Sequence, residues 1–153
     1  MWDRTVQQLA SRAAREALFR VQVPNSSARD ILVIPLDEVS APLVSAVAEQ
    51  PWRNARFVPY TAFGEAWRDA LGGKDVDLVV MIGQAGENLS QAIAVGETCL
   101  SRQIKISGVL IRNLDAELAN VSSSLRSMRP WTQTLAVITD ADYLPGLLHA
   151  LGA

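Results

Sequence analysis

The stretch Asp77–Ile111, DLVVMIGQAGENLSQAIAVGETCLSRQIKISGVLI, restricts the possible folds more than any other part of this chain. Leu78 to Ile82 is an uninterrupted apolar run that meets a small turn, Gly83-Gln84-Ala85-Gly86. Small, helix-compatible residues follow, and then a second apolar run, Ile106–Ile111. This is a β-α-β unit, close to the ~30 residues that such a unit needs. Apolar runs without polar alternation belong to strands covered on both faces, as in a parallel sheet.

The flanking sequence repeats the alternation of strand and helix. Ile31–Leu36 reads as a first strand, with Pro35 near its end because proline cannot donate to a ladder. Ser40 is expected to cap a helix over 41–49, which Pro51-Trp52 ends. Arg56–Tyr60 reads as a short second strand, and Pro59 puts it at a sheet edge. Thr61 is expected to cap a helix reaching Leu71, stopped by Gly72-Gly73. The central unit then predicts a strand over 76–83, a helix over 87–103 and a strand over 106–111. Asp115 is expected to cap a helix with a buried stripe of Leu118, Val121, Leu125 and Met128. Thr134–Ile138 is the fifth strand, and a helix over 143–151, capped by Asp142, closes the chain.

These elements predict a single α/β domain, a three-layer αβα sandwich around a five-stranded parallel sheet of Rossmann-like class. The order 2-1-3-4-5, flavodoxin-like, is preferred over 3-2-1-4-5 because Pro59 places the second strand at an edge. Residues 2–20 read as an extra amphipathic helix: Trp2, Val6, Leu9, Ala13 and Ala17 fall on one side, arginines and glutamines on the other. A helix ahead of the first strand cannot be a crossover, so it must cap the sheet or pack on a partner.

At 153 residues, with 49% hydrophobic and 20% charged residues, the chain is long and apolar enough to bury a core. A net charge of -2 gives no footprint for nucleic acid or an anionic membrane. No run reaches the ~18 apolar residues of a membrane span, and no signal peptide is evident, so a cytoplasmic location is expected. Cys99 is the single cysteine and reads as a small buried hydrophobe. His149 is the single histidine, which rules out a multi-histidine metal centre, and no cofactor is expected. The four tryptophans read as core edges or a subunit interface.

In open α/β sheets, ligands bind beyond the carboxyl ends of the strands, at the switch in strand order. The candidates there are Asp37, Glu38 and Ser40; Tyr60 and Thr61; Gly83 to Asn88; Arg112 and Asn113; and Thr139, Asp140 and Asp142. The Gly83–Gly86 turn, read as opening a helix, offers backbone N–H groups and a helix dipole to an anion. It carries neither GxGxxG nor GxxxxGK[ST], so neither a dinucleotide site nor a P-loop is indicated. A phospho-accepting receiver domain would place an aspartate at the end of the third strand, where this chain has Met81-Ile82-Gly83. Asp37 or Glu87 is the candidate base if there is catalysis. Gly83, Gln84, Ala85, Gly86, Glu87, Asn88, Asp37 and Thr61 are the candidate ligand contacts.

Ile82-Gly83-Gln84-Ala85-Gly86-Glu87-Asn88 resembles the phosphosugar-binding turn of sugar isomerase (SIS) domains, commonly written I-S-x-S-G-E-T. The order of elements, with a helix before the first of five parallel strands, is similar too. The resemblance implies a dimeric protein that binds or isomerises phosphosugars. At the positions where that family carries hydroxyls, this chain has Gly83, Ala85 and Asn88. The expectation is therefore a non-enzymatic ligand-binding or interaction module, homodimeric. The alternative is an enzyme or binder for a phosphorylated or carboxylated metabolite at the Gly83–Gly86 turn.

Overall fold

The computed structural model describes residues 29–73 and 75–153; the expected helix over 2–20 lies outside the described residues. Five parallel strands form one sheet in the order β2-β1-β3-β4-β5, the preferred order. They are β1 (Ile31–Pro35), β2 (Ala55–Phe57), β3 (Leu78–Gln84), β4 (Lys105–Ile111) and β5 (Thr134–Ile138). The helices are α1 (Ser40–Ala48), α2 (Glu65–Gly73), α3 (Gln91–Ser101), α4 (Leu118–Met128) and α5 (Leu144–Ala150).

All of β3 is buried, as its unbroken apolar run requires, and β1 and β4 flank it through continuous parallel registers, Ile31↔Leu78 and Leu78↔Lys105 at their amino ends. The alternation of side chains across the pleat divides the core into two layers. One layer joins Leu32, Ile34, Val79 and Met81 to Trp67 of α2, Val95 of α3 and Met128 of α4. The other joins Ile31, Val33, Val80 and Ile82 to Val44 of α1 and Leu148 of α5. Helices α2, α3 and α4 thus cover one face, and α1 and α5 the other. Because α1 and α3 leave neighbouring strands toward opposite faces, the switch point lies between the carboxyl ends of β1 and β3.

Several helix starts differ from the expectation. Ser40 is the first residue of α1, not its cap; the Asp37 carboxylate accepts the Val39 and Ser40 N–H groups (2.9 and 2.8 Å). Helix α3 begins at Gln91 rather than Glu87, because Asn88 Oδ1 takes the Ser90 N–H (3.0 Å) in an Asx turn ahead of it. Asp115 caps nothing: α4 starts at Leu118, and Leu118 is 73% exposed, with Ser124 buried in the stripe instead. At the last turn the cap is Asp140, whose side chain accepts the Asp142 N–H. Strand β2 stops at Phe57, short of Pro59, and α2 runs through Gly72 and Gly73.

The three described tryptophans are used inside the fold. Trp67 is buried, Trp131 lies against Gly96, and Trp52 donates to the Val47 carbonyl (2.9 Å) while stacking on His149 at 4.5 Å. Cys99 is fully buried, and burial pushes its thiol up to about 11.

Candidate functional site

The carboxyl end of β1 carries Asp37, 3% exposed, directly beside the end of β3. Its Oδ2 accepts the Gln84 N–H (2.9 Å) and the Ser40 hydroxyl (3.0 Å), while Oδ1 accepts the Val39 and Ser40 amides. Four donors therefore saturate this carboxylate. In that arrangement it works as a clamp between two strand ends, because every lone pair that a base would use is already occupied.

The same closure runs through the Gly83–Gly86 stretch. Gly83 and Gln84 belong to β3 and pair with Leu110 and Ile111. The Ala85 N–H donates to the Ile111 carbonyl (2.8 Å), the Gly86 N–H to Ser124 Oγ (3.0 Å) and the Glu87 N–H to the Gln84 carbonyl (3.2 Å). Gly86 has φ +88°, the left-handed conformation that lets the chain turn there. An anion held by this turn would have to displace internal partners one by one. Each of those bonds is worth about 0.5–1.5 kcal/mol net.

Leu89 finishes the plug. A Cβ added to Gly83 would lie 2.8 Å from Leu89 Cδ2, and Leu89 is 3% exposed. A serine at position 83, where the phosphosugar turn has its first hydroxyl, would meet this isobutyl group.

On the β2 side, Thr61 Oγ1 accepts the Ala66 N–H (3.3 Å), and the Thr61 carbonyl accepts from Gln91 Nε2 (2.8 Å). Gln91 Oε1 also takes the Trp67 indole N–H (3.3 Å), so one amide side chain joins the β2–α2 loop to α3. Glu65 beside it is held below the usual carboxylate range, first by its own backbone amide and then by the Thr61 hydroxyl. Glu87, Asn88, Asn113, Thr139, Asp140 and Asp142 are exposed on the loops around this closed centre, and Tyr60 and Arg112 are half-buried.

No family model matches this chain, and no curated protein resembles it significantly in sequence. The site therefore speaks only through its own chemistry. Among the described residues its loops carry exposed Glu38, Glu87, Asp115, Glu117, Asp140 and Asp142 against Arg112 and against Arg68, whose guanidinium bonds the Phe63 carbonyl, an acidic excess that disfavours small anions. Among the described residues, no group of three or more His, Cys, Asp or Glu side chains could hold a metal ion. No described helix is long and apolar enough to cross a membrane.

The same edge exposes apolar side chains: Phe63 after β2 (79%), Leu114 and Leu118 after β4 (84% and 73%) and Tyr143 after β5 (64%). Sequence reasoning missed Leu89, Gln91 and Ser124, the three residues that close the centre. Leu89 carried a signal, being a lone apolar residue in a polar turn. Ser124 carried none, because its partner lies 38 residues away.

Proposed function

We propose that this chain is a non-enzymatic α/β interaction module, acting as a homodimer, whose carboxyl edge takes a protein surface rather than a small phosphorylated metabolite. The observation that carries the reading is the internal satisfaction of the Gly83–Gly86 amides and of Asp37 at the one place where this sheet would receive an anion. A partner of matching chemistry brings apolar side chains for Phe63, Leu114, Leu118 and Tyr143, and lysines or arginines for the acidic rim. Two copies meeting edge to edge here would bring like charges together, so the dimer contact belongs elsewhere. Ile93 and Leu100, 51% and 72% exposed and seven residues apart on α3, support a contact between copies on that helix.

Thermal denaturation against phosphosugars, nucleotides, sulfate and carboxylates tests the edge. A ligand at 100 times its Kd would stabilise the fold by about 2.7 kcal/mol, several degrees for a domain of this size. The expected result is no shift from any of them. A rise of several degrees with phosphosugars alone would overturn the reading in favour of a metabolite site. Light scattering tests the dimer: the parent is expected at twice the chain mass and Leu100→Arg at one, and a monomeric parent would remove that part.

A further inference from the structure

The two lateral edges of the sheet are finished differently. An open strand edge offers unpaired N–H and C=O groups to any other strand, and chains ordinarily blunt it with shortness, proline or charge. The β2 edge has all three: it is three residues long, Arg53 and Arg56 lie beside and within it, and Pro59 follows. The β5 edge lacks them. Residues 131–139, WTQTLAVIT, contain neither proline nor a charged side chain, and Val137 is 44% exposed. Helix α5 alongside, LPGLLHA, has no Asp, Glu, Lys or Arg either. Among the described residues β5 has one strand neighbour, β4.

The backbone shows which groups are left over. The Ile111 carbonyl faces β3, where it accepts the Ala85 N–H, whereas the Arg112 N–H faces β5 and donates to the Ile138 carbonyl (2.9 Å). Backbone groups alternate between the two sides of a strand as side chains alternate between its faces. Thr134, Ala136 and Ile138 therefore turn their N–H and C=O groups toward β4, and Leu135 and Val137 turn theirs outward. The outward pair is symmetric about Ala136. A second β5 laid antiparallel, with a two-fold axis at Ala136, sets Leu135 of each copy opposite Val137 of the other, and every outward N–H then finds an outward C=O. Charge selects the same direction. The first charge before the strip is Arg129, and the first after it are Asp140 and Asp142, all exposed. An antiparallel copy brings Arg129 toward the Asp140 and Asp142 end of the other at both ends of the strip, whereas a parallel copy would set like charge on like.

We infer that β5 pairs antiparallel with β5 of a second copy about a two-fold axis at Ala136, joining two sheets into one. Leu135 of one copy then covers the exposed Val137 of the other on the same face. This contact is separate from the one assigned to α3 and does not rest on it. A strand edge of five residues is narrow, so the pairing fills at high protein concentration and leaves the mass in dilute solution to the α3 contact.

Disulfide trapping in the full chain reads the register, Cys99 being buried and unreactive. On the axis, Ala136→Cys lies opposite itself in a non-hydrogen-bonded pair, with Cα atoms about 4.5 Å apart, inside disulfide range. Val137→Cys is the more exposed position, but its counterpart lies on the diagonal, about 7–8 Å away and beyond that range. Mild oxidation at high protein concentration is expected to link Ala136→Cys into a covalent dimer roughly tenfold faster than Val137→Cys. The same ratio is expected in a Leu100→Arg background, which separates this contact from the one on α3. Adding Val137→Pro to Ala136→Cys removes an outward N–H without touching the ladder to β4, and should slow the linking roughly tenfold. Val137→Lys, which leaves the backbone intact and supplies the missing edge charge, should slow it as well. No covalent dimer from Ala136→Cys, equal rates at the two cysteine positions, or a rate that neither edge variant lowers would overturn the inference.

Discussion

Replacing Asp37 by asparagine removes one oxygen and the charge from a carboxylate that holds four donors. In the less costly orientation the remaining oxygen keeps the Val39 and Ser40 amides, now without charge assistance. The new NH2 group then faces the Gln84 N–H and the Ser40 hydroxyl. The hydroxyl can turn to accept, but the Gln84 N–H, on a residue 7% exposed, is orphaned. An orphaned buried donor costs about 1–3 kcal/mol, and two bonds weakened from charged to neutral cost about 1 kcal/mol each. Relief of the buried charge returns part of this. The expected destabilisation is about 3–4 kcal/mol, a large share of the roughly 5–15 kcal/mol that holds a domain together. Urea unfolding followed by circular dichroism measures it, with Glu38→Gln next door expected within about 0.5 kcal/mol of the parent. An Asp37→Asn variant within about 1 kcal/mol of the parent would refute the clamp and return Asp37 to the candidates for chemistry.

Gly83→Ser, which restores the hydroxyl of the phosphosugar-type turn, is expected to destabilise by about 1–3 kcal/mol in thermal melts through its collision with Leu89, and to confer no phosphosugar binding. Gly96→Ala drives a methyl group into the Trp131 indole ring and should cost a similar amount, seen as a lowered Tm. Cys99, its thiol raised to about 11 by burial, should react with a thiol reagent at pH 8 only after urea unfolding. Because the folded value is the higher one, its stabilising contribution is complete below about pH 9 and lost as pH rises through 11. Alkaline melts of Cys99→Ala should therefore fall less steeply across that window than those of the parent.

The sheet was legible because its strands are buried on both faces, so ILVIP, LVVMIG and ISGVLI appear as continuous apolar runs. Pro59 pointed correctly to the edge position of β2 even though the proline itself lies beyond the strand. Helix starts were less legible, because a cap can be supplied from outside the turn it serves. Asp37 satisfies the amides ahead of α1, and Asn88 delays α3 by forming a turn of its own. Leu118 fits a buried helical stripe by spacing, yet the late start of α4 leaves it at the exposed carboxyl edge. The sequence located the switch point, but its closure depends on partners far along the chain, Gln84 with Asp37 at 47 residues and Gly86 with Ser124 at 38. No local pattern encodes such pairs.

Amide hydrogen exchange at Gln84, Ala85 and Gly86 addresses the closed turn most directly. If these amides are held by Asp37, Ile111 and Ser124, Gln84 and Ala85 should exchange only with global unfolding, Gly86 should be clearly protected, and saturating phosphosugar should change none of them. Rapid exchange at all three, slowed on adding phosphosugar, would show an open anion cradle and contradict the account.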